Sequence, residues 1–146
     1  MNVKISKFKF YLLSFTWGLP MTLIGCLAAL VLIITGHHPK PWGYCYYFEI
    51  GEDWGGCELG TFFITDKTNS SRIKNHELGH GIQNCYLGFA MPFVVCIPSG
   101  IRYWCRKYLT QIKGVTNLKP YDSIWFEGQA TKLGTEFIDW YTSKNA

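Results

Sequence analysis

The stretch KTNSSRIKNHELGHGIQNCYL, residues 67–87, decides the fold of this chain of 146 residues. Asn69 or Ser70 can cap the N-terminus of a helix, and a helix that begins there runs through the rest of the stretch. Two segments rich in aromatic and β-favouring residues precede it, YCYYFEIG (residues 44–51) and CELGTFFITD (residues 57–66). The turn residues EDWGG separate them, so the sequence predicts a β-hairpin that leads into the helix.

The histidines of this helix carry the predicted chemistry. Residues i and i+4 lie on one face of a helix, so His76 and His80 can direct imidazole nitrogens at one metal ion, and zinc suits such ligands. Glu77 is rotated about 100° from His76, which makes it a poor ligand but leaves it within reach of a water at the metal. The sequence therefore predicts Zn²⁺ on the two histidines, with Glu77 as the general base of a hydrolase.

A catalytic zinc site also needs a third protein ligand, and no histidine follows residue 80. His37 and His38 directly follow an apolar segment and are interpreted as part of a linker. The remaining candidates are the downstream carboxylates Asp122, Glu127, Glu136 and Asp139. Among these, the predicted third ligand is Glu127.

The reason for this choice is the pattern of small residues around Glu127 on a last predicted helix, residues 121–141, which has Asp122 or Ser123 near its cap. The face of Glu127 continues through Ala130, Thr131 and Gly134, and the motif helix carries Gly79 and Gly81. Helices with small contact residues can approach closely enough for a carboxylate on one to reach an ion held by the other.

The segment FYLLSFTWGLPMTLIGCLAALVLIITG, residues 10–36, contains no charged side chain. At about 1.5 Å per residue, a helix of that length exceeds the roughly 30 Å hydrocarbon core of a bilayer. A signal peptide is the rival interpretation, but the run is longer than the roughly 7–15 apolar residues of such peptides and no small-residue cleavage site ends it. The sequence therefore predicts a retained transmembrane anchor.

Lys4, Lys7 and Lys9 precede the anchor, and the positive-inside rule then puts the N-terminus in the cytoplasm. The predicted organisation is a basic N-terminus and anchor over residues 1–36, followed by a metallopeptidase-like domain over residues 37–146. We expect a single-pass protein of the cell membrane whose domain faces outward. A formal charge of +4, spread over short groups, argues against nucleic acid as a partner.

A second charge-free run, residues 81–101, is also long enough to span a membrane. If it did, Glu127 would lie on the opposite side from His76 and His80. The run is therefore predicted to be buried or to dip into the membrane, with the basic side chains of RYWCRKY (residues 102–108) near lipid headgroups.

The cysteines show no CxxC pair and so no zinc-knuckle spacing. Cys45 and Cys57 flank the predicted hairpin turn and could form a disulfide in an oxidising compartment. Two unpaired buried thiols are the alternative.

The segments NHELGHGIQN (residues 75–84), CIPSGIRYW (residues 96–104) and YDSIWFEGQA (residues 121–130) together resemble a group of small bacterial proteins regarded as membrane metallopeptidases. HELGH with a glutamate on a separate helix is similar to the gluzincin arrangement. The resemblance implies that the two histidines and Glu127 bind zinc and that Glu77 is the base. Two residues depart from the gluzincin pattern, because Phe126 replaces a frequent asparagine and Thr131 replaces a frequent acid that supports the ligands.

Metallopeptidases of this type bind an extended peptide along an edge strand beside the active-site helix. By this resemblance Gly60, Thr61 and Phe62 are predicted to contact a peptide or protein substrate, although the same strand could simply pack on the helix. Tyr121 or Tyr103 is a candidate to stabilise the oxyanion.

The sequence as a whole predicts an α+β protein in which a membrane helix leads into a hairpin and about three helices around the metal. The predicted function is that of a membrane-anchored zinc peptidase. The alternative is a membrane-associated interaction or regulatory protein whose metal site is structural or vestigial.

Overall fold

The computed structural model describes residues 3–68 and 70–145, and the predicted α+β class is confirmed by five α-helices and one four-stranded sheet among them. The helices are α1 (Lys7–Phe15), α2 (Leu19–Ile34), α3 (Ser71–Leu87), α4 (Ile97–Gln111) and α5 (Trp125–Asn145). The strands are β1 (Lys40–Trp42), β2 (Cys45–Glu49), β3 (Gly56–Leu59) and β4 (Phe62–Thr65). A 3₁₀ turn (Gly88–Ala90) and a π-helical segment (Pro92–Cys96) join α3 to α4, and a second 3₁₀ turn (Tyr121–Ser123) precedes α5.

The sheet has the strand order β1-β2-β4-β3 and consists of two hairpins laid side by side. The β1–β2 and β3–β4 pairs are antiparallel, whereas β2 and β4 run parallel. Each hairpin closes through two residues, of which the first is a glycine with positive φ, Gly43 at 61° and Gly60 at 76°. Such Gly-first turns match the right-handed twist of paired strands.

The predicted hairpin between residues 44–51 and residues 57–66 is wrong, because these segments pair through β2 and β4, which run parallel. Gly60 breaks the second segment into its own hairpin, so β2 and β3 are not neighbours and β4 lies between them. The predicted linker also contains strand β1, which pairs with β2 from Lys40↔Tyr47 to Trp42↔Cys45. Cys45 is buried and Cys57 is exposed, and both are free thiols.

Helix α3 begins and ends where the sequence predicts. The side chain of Ser70 accepts a hydrogen bond from the backbone N–H of Ile73 and so caps the helix, while Asn69 lies outside the described residues. Most of the second half of α3 is buried, and Leu78 and Ile82 are fully enclosed in the main core with Phe63 and Phe137. The predicted last helix, residues 121–141, is present as α5, but it begins only at Trp125 because Tyr121–Ser123 form a 3₁₀ turn and Ile124 is extended.

Helices α3 and α5 approach each other through Gly79 and Gly134, two of the small residues for which the sequence predicts this contact. A Cβ atom on Gly79 would lie 1.9 Å from the carbonyl oxygen of Ala130, and one on Gly134 would lie 1.6 Å from that of Asn75. Gly81 faces elsewhere, toward the Gly60 carbonyl oxygen and the Cys45 sulfur. The contact between the two helices therefore depends on the absence of side chains at Gly79 and Gly134.

Substitution of Gly134 by alanine is expected to destabilise the protein, because the added methyl group would overlap a backbone oxygen that cannot move without shifting α3. Overpacking of this kind costs about 1–3 kcal/mol in the free energy of unfolding. Thermal unfolding followed by circular dichroism measures the effect. Gly100→Ala is the matched control, since a Cβ there meets nothing within 4 Å. Equal melting temperatures for the two variants would contradict this packing.

The N-terminal apolar segment forms two helices rather than the single predicted one. The chain bends by 92° between α1 and α2, where the Gly18 N–H bonds the Leu13 carbonyl and the Asn84 amide donates to the Gly18 carbonyl at 3.2 Å. Pro20 follows in the first turn of α2, a position where its missing N–H costs no helical bond. Phe10 of α1 is fully buried in the main core, so this segment packs on the rest of the fold.

Within the described residues no single helix has both the length and the apolar composition needed to cross a membrane. Two helix pairs meet these criteria only when joined, and both are sharply bent: α1 with α2, and Ser71–Ala90 with Pro92–Gln111, the latter by 113°.

Candidate metal centre

Three side chains from two helices converge at one point between α3 and α5. The Nε2 atoms of His76 and His80 lie 3.1 Å apart, and Glu127 Oε2 lies 3.0 Å from the first and 3.1 Å from the second. Donors held at about 2.0–2.1 Å around a tetrahedral ion are roughly 3.3 Å apart, close to this spacing. These residues are the predicted ligand set, and the group can hold a metal ion.

The electrostatics of the group also suit a cation. Burial raises the pKa of Glu127, but hydrogen bonds with His76 and His80 outweigh it and hold the pKa below its ordinary value. Burial lowers the pKa of His80, yet the hydrogen bond with Glu127 and the charges of Glu77, Glu127 and Glu58 raise it to about 9. Three carboxyl groups thus surround the two imidazoles, and a bound metal ion would stabilise their charged forms.

The orientation of His76 is set by Thr131. The Thr131 hydroxyl donates to the Glu127 carbonyl oxygen at 3.2 Å, so it is free to accept from His76 Nδ1 at 2.9 Å. With the proton assigned to Nδ1 by this network, the lone pair of Nε2 points at the convergence point. Thr131 therefore provides the acceptor through its hydroxyl group.

The orientation of His80 is set in the same way by Gln83. The Gln83 amide nitrogen donates to the Phe126 carbonyl oxygen at 2.9 Å and to Gln129 Oε1 at 3.0 Å. Its Oε1 atom then faces His80 Nδ1 at 2.7 Å and accepts the proton there. In the neutral form that binds a metal, both histidines would therefore carry their proton on Nδ1 and present Nε2 to the ion.

Replacement of Thr131 by valine keeps the shape of the side chain but removes the acceptor for His76 Nδ1. We expect zinc affinity to fall by about 10–100-fold, the usual cost of losing a hydrogen bond that supports a ligand. Competition with a chromophoric chelator measures the affinity. Thr131→Ser, which keeps the hydroxyl group, is the control and should bind zinc as the wild type does. The tautomer assignment would be wrong if the valine and serine variants bound zinc equally well.

Glu77 lies on the same turn of α3 but points at a different wall of the site. Its side chain fills the space left by Gly56, where a Cβ atom would lie 2.5 Å from Glu77 Oε1. Burial raises the pKa of Glu77, the imidazoles of His76 and His80 oppose this, and the charge of Glu127 adds to it. A carboxylate with a raised pKa takes up a proton more readily, which is the property a general base needs.

The site opens into a cavity of about 840 Å³, within the range of small-ligand sites. One wall is the segment Trp54–Glu58, and the opposite wall is formed by the π-helical segment and α4, including Val95, Ser99 and Tyr103. His76, Glu77 and His80 line it as well. The two histidines and Glu77 therefore face a space large enough for an extended ligand.

The edge of the sheet at this cavity is β3, whereas the three residues predicted to contact the substrate lie elsewhere. Gly60 and Thr61 form a turn, with Gly60 against Thr22 of α2, and Phe62 belongs to the inner strand β4. None of the three is among the described residues that line the cavity. The sequence prediction treated residues 57–66 as one strand, but the structure divides them at Gly60, and only the half before Gly60 lies at the edge of the sheet.

The tyrosines proposed for the oxyanion both line the cavity. The Tyr121 hydroxyl lies 2.9 Å from the Ser99 hydroxyl and donates to the Ser99 carbonyl oxygen at 3.2 Å. Burial raises the pKa of Tyr121, so the phenol stays protonated at neutral pH. To act on a substrate, this hydroxyl must exchange its bond to Ser99 for one to the substrate.

Sequence reasoning missed Gln83 as a supporting residue and Glu58 altogether. The spacing of Gln83, three residues after His80 on one helix face, was a usable signal. Glu58 is 6% exposed, and burial raises its pKa to about 8 although the charge of His80 lowers it. It accepts a hydrogen bond from the Gly60 N–H, and only the folding of β3 beside α3 brings it to the cavity.

Comparisons of the chain with models of protein families, with curated proteins and with solved structures found no match.

Proposed function

We propose that this protein is a zinc-dependent peptidase. The observation that carries the proposal is that three ligand atoms converge on one point while a separate glutamate on the same helix, Glu77, lines the adjoining cavity. Two imidazoles and one carboxylate leave a fourth position open, as catalytic zinc sites do. A purely structural zinc site would normally be closed by four protein ligands.

When bound, zinc supplies a Lewis acid that polarises the scissile carbonyl and lowers the pKa of a water molecule to about 7. Glu77 takes the proton from the attacking water and passes it to the leaving amine. Thr131 and Gln83 hold the two imidazoles with Nε2 directed at the ion. Tyr121 is the residue we assign to the oxyanion.

The part of the edge strand β3 before Leu59, whose carbonyl oxygen packs against Gly25 of α2, is suited to bind the substrate backbone. Its residues Gly56, Cys57 and Glu58 line the cavity, and β4 occupies the other side of the strand. An extended peptide can therefore add to the sheet along β3 and pass in front of Glu77. Peptides are favoured over other substrates for this reason.

Membrane attachment through α1 and α2 remains part of the proposal. The outer face of α2 exposes Leu23, Leu27, Leu30, Val31 and Ile34. Lys7 and Lys9 lie at the start of α1, and no charged residue follows until Lys40, so the charge-free residues 10–36 can lie in lipid with the N-terminus on the cytoplasmic side and the metal centre outside. Protease accessibility in sealed vesicles tests this orientation.

The decisive experiment uses the full chain purified in detergent and loaded with zinc. We expect about one zinc ion per chain and hydrolysis of casein or of a peptide library, both lost with a chelator and restored by added zinc. Zinc binding without hydrolysis of any substrate would favour the non-catalytic alternative. Absence of zinc binding would contradict the proposed metal centre.

A further inference from the structure

The segment Pro92–Gln111 has an exposed apolar face that the metal centre does not use. Phe93, Ile97, Ile101, Trp104 and Tyr108, which we call the ridge, are between 51% and 71% exposed. Their spacing of four, four, three and four residues puts them on one side of a helix. Exposed apolar surfaces of this extent mark binding sites for proteins or membranes.

The opposite face of the same segment forms a wall of the cavity. Val95, Cys96, Ser99 and Tyr103 line it, and Val95 is almost fully buried. A helix with its side chains is about 10–12 Å across. Whatever covers the ridge is therefore only one helix diameter from the cavity.

The charges around the ridge point to an anionic partner. Residues 78–121 contain no aspartate or glutamate, although the chain has ten, but they contain five basic residues: Arg102, Arg106, Lys107, Lys113 and Lys119. The Lys107 ammonium lies 5.3 Å from the centre of the Trp104 ring, and that of Lys113 lies 6.0 Å from the centre of the Tyr108 ring. Basic side chains beside exposed tryptophan and tyrosine are typical of elements that lie at a membrane surface.

The ridge also adjoins the apolar surface of the N-terminal helices. The rings of Trp17 and Phe89 pack edge to face with centroids 5.6 Å apart, and the Trp17 indole N–H donates to the Tyr86 carbonyl oxygen at 3.2 Å. Trp17 lies between α1 and α2, and Phe89 lies just before the ridge. A lipid surface can cover such a continuous apolar and basic surface without a specific complementary shape.

We infer that the ridge binds the surface of an anionic membrane and so presents the cavity to peptides held at that surface. The second half of this inference rests on the proposed peptidase function. Arg102 and Arg106 hold α4 against the segment that precedes α5, because both donate hydrogen bonds to backbone carbonyls of residues 119–121. Lys107 and Lys113 are the basic residues that face lipid headgroups.

The ridge is tested by an environment-sensitive fluorophore on full-length protein in vesicles. The label is attached to a cysteine introduced by Ile101→Cys. The control label is attached through Lys132→Cys, at an exposed position on α5. In both variants the exposed cysteines Cys57 and Cys105 are replaced by serine. In vesicles containing phosphatidylglycerol we expect a blue shift and loss of iodide quenching at position 101 but not at position 132. Equal quenching at the two positions, or an equal shift in purely neutral vesicles, would overturn the inference.

The substrate consequence is tested with one peptide supplied both free and tethered to a lipid. Wild-type protein on anionic vesicles should give a higher kcat/KM for the tethered peptide. A variant with Ile97→Asp and Ile101→Asp should lose this preference while hydrolysing the free peptide normally, because neither residue lines the cavity. Equal rates on both peptides would refute the substrate assignment alone. If neither peptide were cleaved, the peptidase proposal would fail. The fluorophore experiment would then still show whether the ridge binds the membrane.

Discussion

Substitution of Glu77 by glutamine is expected to abolish peptide hydrolysis and to leave zinc binding intact. The amide has the size of the carboxylate, so it fits the space beside Gly56, but it cannot accept the proton of the attacking water. Loss of general base catalysis alone reduces the rate by about 10²–10⁴-fold. Glu77 is outside the group of three converging ligand atoms, so the metal should remain.

Initial rates on a peptide substrate, together with the zinc content of the same preparation, measure both parts of this prediction. Glu136→Gln is the matched control, because Glu136 lies on the exposed side of α5, 3.8 Å from Lys132, and should behave as the wild type does. Full activity in the Glu77 variant would remove it from the mechanism. Loss of zinc would instead make Glu77 part of the metal centre.

Substitution of Glu127 by alanine is expected to abolish zinc binding and, with it, activity. Glu127 Oε2 is within 3.1 Å of both histidine Nε2 atoms, and two imidazoles alone make a weak site. The affinity should therefore fall by more than the roughly 10–100-fold that loss of a supporting hydrogen bond costs. Glu127→Gln, which preserves volume in this fully buried position, separates loss of the ligand charge from loss of packing.

Zinc affinity and the thermal unfolding curve are measured for both Glu127 variants and for Glu136→Ala as the control. Glu127→Gln should remain folded because it preserves the volume of the side chain, and Glu136→Ala should bind zinc as the wild type does. Zinc retained at wild-type affinity in folded Glu127→Ala, but lost in His76→Ala, would show that the third ligand is a different residue.

Much of the candidate site follows from the sequence because its parts are local. A cap at Ser70 and the i, i+4 spacing of His76 and His80 are properties of one helix, and the structure has both. The choice of Glu127 as third ligand joins two distant helices, but the small residues on its face gave a physical reason for close packing of these helices. Gly134 and Gly79 indeed meet the backbone of the facing helix.

The bend in the N-terminal segment is a feature that amino-acid composition does not predict. Residues 10–36 are mostly apolar and carry no charge, and this pattern predicts one continuous helix. The structure bends the chain at Gly18, which is held by Asn84 of α3, a residue far away in the sequence. Hydropathy depends only on neighbouring residues, so it does not reveal such a contact.

The sequence by itself determined the helix that carries HELGH, the last helix with Glu127, the α+β class and a pair of histidines that can hold a metal ion, because periodicity, capping and ligand spacing act over a few residues. Only the tertiary structure decided the strand order, the position of the edge strand β3 and the partners Thr131 and Gln83 of the two histidines. These depend on which distant segments meet. Gly60 and Gly134 allow distant segments to pack closely, because a Cβ atom at either position would clash with Thr22 or with the Asn75 carbonyl oxygen. The pattern of neighbouring residues does not show which segments come this close.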